Sequence, residues 1–437
     1  MSTEEMRSIL TNLHTIRESV DRMKREIEAH ISKHAVAEEK TEFRPASVQF
    51  NSKLSKEERH NEGIYFTPRT LRKRLLDILT TLSVKATRIL EPSFGTGEFI
   101  QDVAVLYPDA VVTGVEQNAA LYKSFLTESK KGNAGSKIKL VQGDFRTYKS
   151  DTEFDLILGN PPYFVVKDKN PACMTGRGNI FVQFLYKCLV EHLSPGGVLA
   201  FVLPTSFYNC SYYRPCRDYM FQNVTVLHVE NVTGDFYDTA QDTMIMVVRK
   251  EVATAKAAVT ANPYWYKFAN TLCLTPFYRE LTTLSASGKT LSDLGFSVKT
   301  GDVVWNQHKK ALHDQEGTLV IYSSNIVNNE LVLNNLRGEK KQRIKGFEPL
   351  PNEGPAILVA RGYGNTYRFA YVLVPEGCRF HGENHINVIT PTTDAAKAAI
   401  PRVMASLGDE KTSQYISMFV GNGAMSKTEL EHALPIF

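Results

Sequence analysis

Residues 89–100 read ILEPSFGTGEFI, which has the pattern of an apolar strand, a glycine turn and the start of a helix. Gly95 and Gly97 allow the backbone to come close to a ligand, and the first N–H groups of the helix are free to bind it. Glu91, at the end of the strand, can bind the ammonium group of an amino-acid moiety. Many α/β proteins turn this way, so the stretch predicts an α/β fold and a ligand without identifying the ligand.

The alternation of strands and helices continues along the chain. Short, apolar, β-rich segments read ATRILEP, AVVTGVE, IKLVQGD and FDLILGN, and helix-like segments such as NAALYKSFLTES lie between them. The helix-like NIFVQFLYKCLVEHL then precedes the strands VLAFVLP, VTVLHVE and MIMVVRK. This order is typical of a parallel, doubly wound sheet. It predicts an α/β, Rossmann-like sheet of about seven strands.

Polar or aromatic residues close the second and third predicted strands. Glu116 ends VVTGVE, and a carboxylate there suits two adjacent ribose hydroxyls. Asp144 can accept a hydrogen bond from an adenine amine, and Phe145 can cover the ring. In open α/β sheets, ligands bind at the carboxyl ends of the strands. The spacing alone does not separate a nicotinamide cofactor from S-adenosylmethionine.

The fourth predicted strand ends in NPPY, residues 160–163. Asn160 offers an oxygen acceptor and an NH2 donor, and Pro161 and Pro162 are rigid residues that expose carbonyl groups without donors. Tyr163 adds a flat ring with a polar tip. This tip could hold a planar amine by its hydrogens and by its face. A purely structural turn is the alternative, which the three preceding polar strand ends disfavour.

These motifs together carry a family resemblance. EPSFGTGEF, VE, GDF and LILGNPPYF, in that order, resemble the gamma-class N6-adenine DNA methyltransferases, the TaqI-like group of type II restriction–modification enzymes. GIYFTPRTLRKRLLDIL, residues 63–79, resembles the family's motif over the methionine end of the cofactor. The resemblance covers about residues 63–250. LGFSVKTGD, ENHINVI and MSKTELEHALPI resemble, more loosely, the family's target-recognition domain.

The resemblance implies S-adenosyl-L-methionine as the cofactor. Glu116 would take the ribose, and Asp144 and Phe145 would take the adenine. Asn160 would lie beside the donor. The methionine end would be held by Tyr65, Thr67, Pro68, Glu91, Pro92, Ser93, Gly95 and Gly97.

The resemblance also implies how the target amine is activated. Asn160, through its side-chain oxygen, and the Pro161 carbonyl would accept both amine hydrogens, which localises the nitrogen lone pair. Most of the gain would be positioning and electrostatics. The base would be flipped out of the duplex and clamped between Tyr163 and a second aromatic ring, with Pro162 as a further member of the catalytic segment. Either Phe236 or Tyr237 could be that ring; spacing does not choose, and we prefer Phe236.

The texture of the chain predicts four parts. Residues 1–60 hold an N-terminal helix and a connector, 61–255 the catalytic domain, 256–290 a linker, and 291–437 a smaller α+β DNA target-recognition domain. In the first helix, Met6, Leu13, Val20 and Ile27 repeat every seven residues, which predicts packing on the protein itself or a homodimer.

Basic residues mark candidate DNA contacts. Two loops carry them, with Lys167, Lys169 and Arg177 in the first and Lys340, Lys341, Arg343 and Lys345 in the second. Ordinary solvated loops are the alternative, and the net charge of +4 permits DNA binding without requiring it. The expected partner is double-stranded DNA, and the resemblance adds a companion restriction endonuclease, which the sequence does not determine.

Several classes of protein are disfavoured. The six cysteines contain no CxxC pair, and HGENH at 381–385 lacks a third metal ligand, so no metal site is predicted. No apolar run reaches the roughly 20 residues of a membrane helix, and MSTEEMRSIL is not a signal peptide, which predicts a cytoplasmic protein.

Three alternative functions remain open. NPPY also serves enzymes that methylate RNA adenine or a protein glutamine amide. Residues 291–437 disfavour the glutamine enzymes, which lack such a domain. The third alternative is a catalytically inactive DNA-specificity subunit, which the intact Glu91, Asp144 and Asn160 disfavour.

Overall fold

The computed structural model describes residues 42–55, 57, 63–129, 137–232, 242–251, 262–336, 338–362, 369–420 and 425–437. The helix predicted over residues 1–35 lies outside this range. Helices α1 to α11 are Pro45–Asn51, Arg69–Thr81, Glu98–Leu106, Ala119–Ser129, Ile180–Lys187, Arg214–Asn223, Tyr278–Ser285, Asp394–Ala398, Ile400–Leu407, Glu410–Phe419 and Lys427–His432. A π-helical turn, Cys188–His192, extends α5.

Twenty strands lie in the described parts of the chain. Strands β1 to β10 are Arg88–Glu91, Val111–Glu116, Ile138–Gln142, Phe154–Gly159, Leu193–Pro204, Val224–Val232, Thr243–Lys250, Trp265–Phe268, Thr271–Leu274 and Phe296–Thr300. Strands β11 to β20 are Leu312–His313, Thr318–Ile321, Ile326–Val327, Glu330–Leu331, Arg343–Ile344, Asn352–Glu353, Ala356–Ala360, Tyr371–Val374, Arg379–Gly382 and Ile386–Pro391.

The first seven strands form one sheet in the order β3-β2-β1-β4-β5-β7-β6. The first five strands in this order run parallel, and β7 runs antiparallel to both of its neighbours. The predicted seven-stranded Rossmann-like sheet is therefore confirmed, with one reversed strand. No helix that the structure describes has the length and apolar character to cross a bilayer.

The sheet is covered on both faces, as its continuous apolar strands require. Successive strand residues point to opposite faces, so Ile89 packs with the apolar residues of α2 and α3, whereas Leu90 packs with those of α5. Both side chains are fully buried. Because β2, β1 and β4 run parallel, their carboxyl ends lie at one edge of the sheet, where the site lies.

Residues 291–437 mix strands and helices, as predicted for an α+β fold. One four-stranded sheet has the order β10-β20-β17-β18 and is antiparallel throughout. A five-stranded sheet has the order β11-β15-β12-β19-β16. Apolar residues of α9, α10 and α11 join the core on the four-stranded sheet.

The segment predicted as a linker, 256–290, contains the β8–β9 hairpin and α7. Hairpin residues Trp265 and Leu272 join the core of the seven-stranded sheet, whereas Tyr266 and Cys273 join the core of the C-terminal half. Because side chains alternate along a strand, the same hairpin serves both cores. Arg217, 1% exposed, adds a clamp by donating to the carbonyls of Phe207, Asn209, Cys210 and Leu272.

Candidate cofactor and catalytic site

A cavity of about 430 Å³ lies at the carboxyl edge of the sheet. This volume falls in the range of roughly 300–1,000 Å³ for small-molecule sites. A smaller cavity of about 40 Å³, lined by Thr67 and Glu91, lies against the same turn and shares Tyr65, Ser93, Gly95 and Asn160 with the larger one. The other predicted residues that line the larger cavity are Pro92, Glu116, Phe145 and Pro162.

The glycine turn between β1 and α3 has the backbone that the sequence predicted. Gly95 has a φ of 55° and Gly97 a φ of 78°, both in the left-handed region. A Cβ atom at Gly97 would lie 2.3 Å from the ring of Phe125. The turn therefore requires glycine at position 97 for two independent reasons, and it sets the floor of the cavity.

Glu91 is 2% exposed, and its Oε2 atom has no hydrogen-bond partner among the described residues. Burial raises the pKa of this carboxyl well above its usual range, and the nearby Glu116 raises it further. A buried carboxylate without a partner is costly unless a cation or donor meets it. The ammonium group of a methionine moiety is such a cation, so the residues fit the predicted role.

Glu116 is also buried, at the end of β2. Its Oε2 accepts a hydrogen bond from the Gly95 N–H at 2.8 Å, and its Oε1 accepts one from the Asn118 N–H at 2.7 Å. Each carboxylate oxygen has a second lone pair. The two bonds orient Glu116 at the wall of the larger cavity, and its contact with the ribose remains a prediction.

Asp144 is engaged by its own neighbour. Arg146 donates to it from Nε and Nη2, the latter at 2.7 Å, and also from its backbone N–H. Burial raises the pKa of Asp144, but the hydrogen bonds from Arg146 outweigh this effect and lower it. An Arg–carboxylate pair of this kind leaves fewer lone pairs for a ligand. The predicted contact of Asp144 with adenine remains a prediction.

Phe145 is buried at the edge of the cavity in a group of rings. The centroid of Phe184 lies 5.0 Å from its own, and that of His192 lies 5.3 Å away. Burial lowers the pKa of His192 to about 4, so this ring is neutral at pH 7. Phe184 and Ile180, one helical turn apart on α5, also line the cavity. Sequence analysis missed both, although their i, i+4 spacing marks one apolar face.

Asn160 follows β4 and is held by the segment that precedes α2. Its Nδ2 donates to Thr67 Oγ1 at 3.1 Å and lies 3.5 Å from the Tyr65 carbonyl. Ser93 Oγ lies 3.4 Å from the Asn160 carbonyl oxygen. Because Tyr65 offers only an acceptor there, the amide is oriented with its nitrogen toward residues 65–67. Pro68 caps the start of α2 directly after them.

Tyr163 lies in the core. It is 8% exposed, and its ring packs edge-to-face with Phe181 at 6.0 Å between centroids. Its hydroxyl contacts Asn160 Oδ1 and also lies 2.7 Å from the Val202 carbonyl. Burial raises the pKa of Tyr163 well above its usual range. The ring of Phe164, rather than that of Tyr163, lines the larger cavity, and clamping of a base by Tyr163 remains a prediction.

Of the remaining predicted catalytic residues, the structure describes Pro161 but neither Phe236 nor Tyr237. Pro161 is buried between Asn160 and Pro162. Phe236 and Tyr237 lie outside the described residues, so the structure does not choose between them.

The first basic loop is anchored to the protein. Val166, Cys173 and Met174 are buried in the core, whereas Lys167, Lys169 and Arg177 are exposed. The loop thus exposes three positive charges, while its buried residues hold it against the core.

The second basic group is partly paired. Lys340 Nζ lies 4.9 Å from the ring centroid of Tyr322 and 5.6 Å from that of Trp305. Arg343 donates to the Gly317 carbonyl. Lys341 and Lys345 form ion pairs with Asp314 at 3.1 Å and Glu316 at 2.8 Å, respectively.

Each histidine of HGENH pairs with one acid, His381 with Asp302 outside the motif and His385 with Glu383 inside it. His381 Nδ1 lies 3.2 Å from Asp302, and His385 Nδ1 lies 2.7 Å from Glu383. Among the residues that the structure describes, no group of three or more metal-ligating side chains occurs.

The sequence analysis also missed a buried arginine. Arg72 on α2 lines the smaller cavity and is 4% exposed. A signal was present, because Arg72 lies three and seven residues before Leu75 and Leu79, on the apolar face of its helix. A charge on an apolar face needs a partner.

Comparisons with known proteins extend over nearly the whole chain. A family model described as Eco57I restriction-modification methylase matches residues 99–236. Type II methyltransferase M.CvrRI of Paramecium bursaria Chlorella virus XZ-6E is 28% identical over 408 residues, which cover 90% of this chain and 99% of that protein. Modification methylase CviBIII of Paramecium bursaria Chlorella virus NC1A is 29% identical over 406 residues, which cover 91% of this chain and 99% of that protein.

The chain is similar to the type II restriction–modification methyltransferases. The resemblance read from the motifs is thereby confirmed at this level. The matched residues 99–236 include Glu116, Asp144 and the NPPY segment. The match to a methylase family supports the predicted cofactor, S-adenosylmethionine.

A shorter match reaches another methyltransferase. The tRNA1(Val) (adenine(37)-N6)-methyltransferase of Glaesserella parasuis serovar 5 (strain SH0165) is 29% identical over 122 residues, which cover 27% of this chain and 52% of that protein.

Proposed function

We propose that the chain is a DNA methyltransferase that transfers a methyl group from S-adenosylmethionine to the N6 amine of adenine in a specific duplex sequence. The observation that carries the proposal is Asn160. Its amide follows β4 and lines both cavities, beside the glycine turn and the unpartnered carboxylate of Glu91. The similarity to type II methyltransferases over nine-tenths of the chain supports DNA as the substrate.

The cofactor, when bound, would supply an electrophilic sulfonium methyl group, whose transfer to the amine would release S-adenosylhomocysteine and one proton. The side chains around the site carry the rest of the chemistry. Glu91 and Glu116 are buried carboxylates that suit a ligand with cationic and hydroxyl groups. Asn160 Oδ1, with the Pro161 carbonyl, accepts the hydrogens of the target amine, so the nitrogen lone pair is localised and aimed. Catalysis then comes from positioning and electrostatics.

Access to the amine requires the base to leave the duplex, at a cost of a few kcal/mol. Aromatic stacking returns roughly 1–3 kcal/mol per base. Tyr163 and either Phe236 or Tyr237 are the proposed clamp. The exposed Lys167, Lys169 and Arg177 are proposed to contact DNA phosphates beside the site.

The test is methyl transfer by the full chain with a tritium-labelled donor. Duplex DNA without prior methylation is the substrate, and the product is digested to nucleosides and separated by mass. We expect N6-methyladenine. Label in N4-methylcytosine would exclude the adenine assignment, and no label in DNA would exclude the proposal.

A matched variant ties the activity to the site. Asn160→Ala should lower the rate of transfer at least ~100-fold, as the loss of a positioned polar group in an active site does. The Kd for S-adenosylhomocysteine should stay within about threefold, since Asn160 serves mainly the reaction. Loss of both together would show that Asn160 has another role.

A second candidate is transfer to adenine in RNA. The partial match to a tRNA adenine-N6 methyltransferase favours it. The same assay with total tRNA in place of DNA separates the two, because label in tRNA alone would select the second candidate. A protein glutamine amide and an inactive specificity subunit are further outcomes, detected as label in protein or as no label at all.

The proposed partners follow from this function. Double-stranded DNA would bind through residues 291–437 and the two basic loops. We also propose a companion restriction endonuclease, a cytoplasmic location, and a homodimer through residues 1–35, which a truncated chain lacking those residues would test by sedimentation.

A further inference from the structure

Arg72 is the centre of a buried ion cluster beside the smaller cavity. Its Nε donates to Asp102 Oδ2 at 2.7 Å, and its Nη1 donates to Glu98 Oε2. Arg72 and Glu98 are 4% and 6% exposed. Burying such a pair is expensive unless the geometry is good and the other donors are satisfied. A third hydrogen bond of Arg72 has an acceptor outside the ion cluster.

Arg72 Nη1 also donates to the backbone carbonyl of Thr67 at 2.7 Å. The hydroxyl of the same threonine accepts from Asn160 Nδ2 at 3.1 Å. Thr67 is therefore held at its carbonyl by the arginine and holds the asparagine with its side chain. This is a direct chain of contacts from Arg72 to the proposed catalytic amide.

Arg72 is also the positive charge that acts on Glu91. The charged groups around Glu91 are Glu116 on β2, Arg72 on α2, and Glu98 and Asp102 on α3. Burial and then Glu116 raise the pKa of Glu91, and Arg72 acts in the opposite direction. Removing this charge would take away the ion-pair partner of Glu98 and Asp102 and the positive charge that lowers the pKa of Glu91.

The N-terminal segment completes the cluster from outside. Ser47 on α1 donates to Glu98 Oε1 and lies 2.7 Å from the hydroxyl of Thr96 in the glycine turn. The backbone N–H of Arg44 also donates to Glu98, at 3.3 Å. Glu98 is thus fixed from two sides and holds the guanidinium in place.

We propose that Arg72 is a positioning residue for methyl transfer, which fixes Thr67 and through it the Asn160 amide, and which balances the carboxylate of Glu91 where the ammonium of the cofactor binds. The inference rests on the proposed function for its kinetic part. Its binding part concerns only the cofactor and stands apart from the choice of nucleic acid.

Two substitutions in the full chain separate the two roles. Arg72→Lys keeps the charge but loses the planar fork that reaches three acceptors at once. We expect the rate of methyl transfer to fall about tenfold, because the charge-assisted bond to the Thr67 carbonyl is lost. The Kd for S-adenosylhomocysteine, measured by calorimetry, should stay within about threefold, because the positive charge beside Glu91 is kept. Arg72→Gln loses charge and fork, so the rate should fall and the Kd should rise at least ~10-fold.

The pH profile of binding distinguishes positioning from a purely structural role. In Arg72→Gln, the fall in cofactor affinity on the acid side should move to higher pH, because Glu91 loses its cation. Arg74→Gln, two residues along on the exposed side of the helix, is the control and should leave the rate, the Kd and the pH profile unchanged.

Three results would overturn the inference. These are an unchanged rate in Arg72→Lys, an unmoved pH profile in Arg72→Gln, or equal losses of rate and affinity in both variants with equally lowered Tm. If Arg72→Gln does not fold, Asp102→Ala, which removes the acceptor of Arg72 Nε and leaves the charge of Arg72, should still lower the rate, and an unchanged rate would contradict the proposal. A wild-type chain that binds S-adenosylhomocysteine but methylates no nucleic acid would sink the proposed function alone.

Discussion

Asn160 Nδ2 donates a 3.1 Å hydrogen bond to the hydroxyl of Thr67, across 93 residues of sequence. Thr67 ends the segment before α2, and Asn160 follows β4. The first belongs to the motif assigned to the cofactor, and the second to the motif assigned to the amine. One hydrogen bond therefore joins the motif assigned to the methyl donor to the motif assigned to the methyl acceptor. We expect a substitution in either motif to affect the other.

Thr67→Val should lower the rate of methyl transfer about fivefold, because it removes the acceptor that orients Asn160 without changing the size of the side chain, at a cost of roughly 1 kcal/mol. Steady-state kinetics on duplex DNA measure the effect. Thr67→Ser keeps the hydroxyl and should restore at least half of the activity. A Thr67→Val enzyme with full activity would show that Asn160 needs no such support.

Glu91→Gln should weaken S-adenosylhomocysteine binding by at least ~10-fold at pH 8, since a charged partner of the ammonium is lost. The wild-type affinity should fall as the pH is lowered through the raised pKa of Glu91, because the protonated carboxyl carries no charge. The variant should lack this pH dependence. Calorimetry at several pH values checks both statements, with the exposed Glu153→Gln as control.

The raised pKa of Glu91 also predicts how the stability of the protein depends on pH, in the direction opposite to that of cofactor binding. The folded pKa of Glu91 lies above the unfolded value, so the contribution of this group to stability is present at low pH and is lost as the pH rises through the folded pKa. Glu91→Gln should therefore raise the Tm of the cofactor-free protein at pH 8 and leave it unchanged at pH 4. A lower Tm of the variant at pH 8 would contradict the assignment of Glu91 as an unpaired buried acid.

Neutralising Lys340, Lys341 and Lys345 together should weaken duplex binding and flatten its salt dependence. Each lost phosphate contact reduces the slope of log K against log salt by ~0.9. The ion pairs of Lys341 with Asp314 and of Lys345 with Glu316 predict the converse. Asp314→Asn with Glu316→Gln should strengthen binding at low salt. Filter binding at several salt concentrations decides, and an unchanged slope would assign the lysines to ordinary surface.

Arg217→Met should lower the free energy of unfolding by about 3 kcal/mol, because four buried carbonyl acceptors lose their donor. Urea unfolding followed by tryptophan fluorescence measures the change, since Trp265 lies in the hairpin beside the clamp. Arg214→Met is the control on the same helix, and it should cost less, because the half-buried Arg214 bonds only one hairpin carbonyl, that of Asn270, and a partly exposed Asp218. Equal effects of the two substitutions would remove the special role of Arg217.

The sequence was sufficient for the sheet and for part of the site because both follow from local patterns. Strands bounded by glycine, proline and acids predict a parallel sheet, and a parallel sheet brings its strand ends to one edge. Glu91, Glu116 and Asn160 meet there for that reason. Asp144 is the exception, because its ion pair with Arg146, two residues along the chain, was not predicted although both residues lie near the end of β3.

What the sequence could not supply depends on distant contacts. The position of the Tyr163 ring is set by Phe181 and by the Val202 carbonyl, and no spacing within NPPY reveals either. The Arg72 cluster needs Asp102 from another helix. Residues 265–274 were predicted as part of a linker, because the two cores into which this hairpin packs are formed by residues before it and after it in the sequence.

That shared hairpin has a consequence for how such proteins could exchange specificities. Consider a chimera in which the chain after a junction between residues 256 and 290 comes from a related protein. Its hairpin would then be divided between the two parents, or would pack into at least one core that it does not match. Junctions that keep residues 262–285 together with both of the cores they pack into should let the C-terminal half of another protein assemble on this seven-stranded sheet.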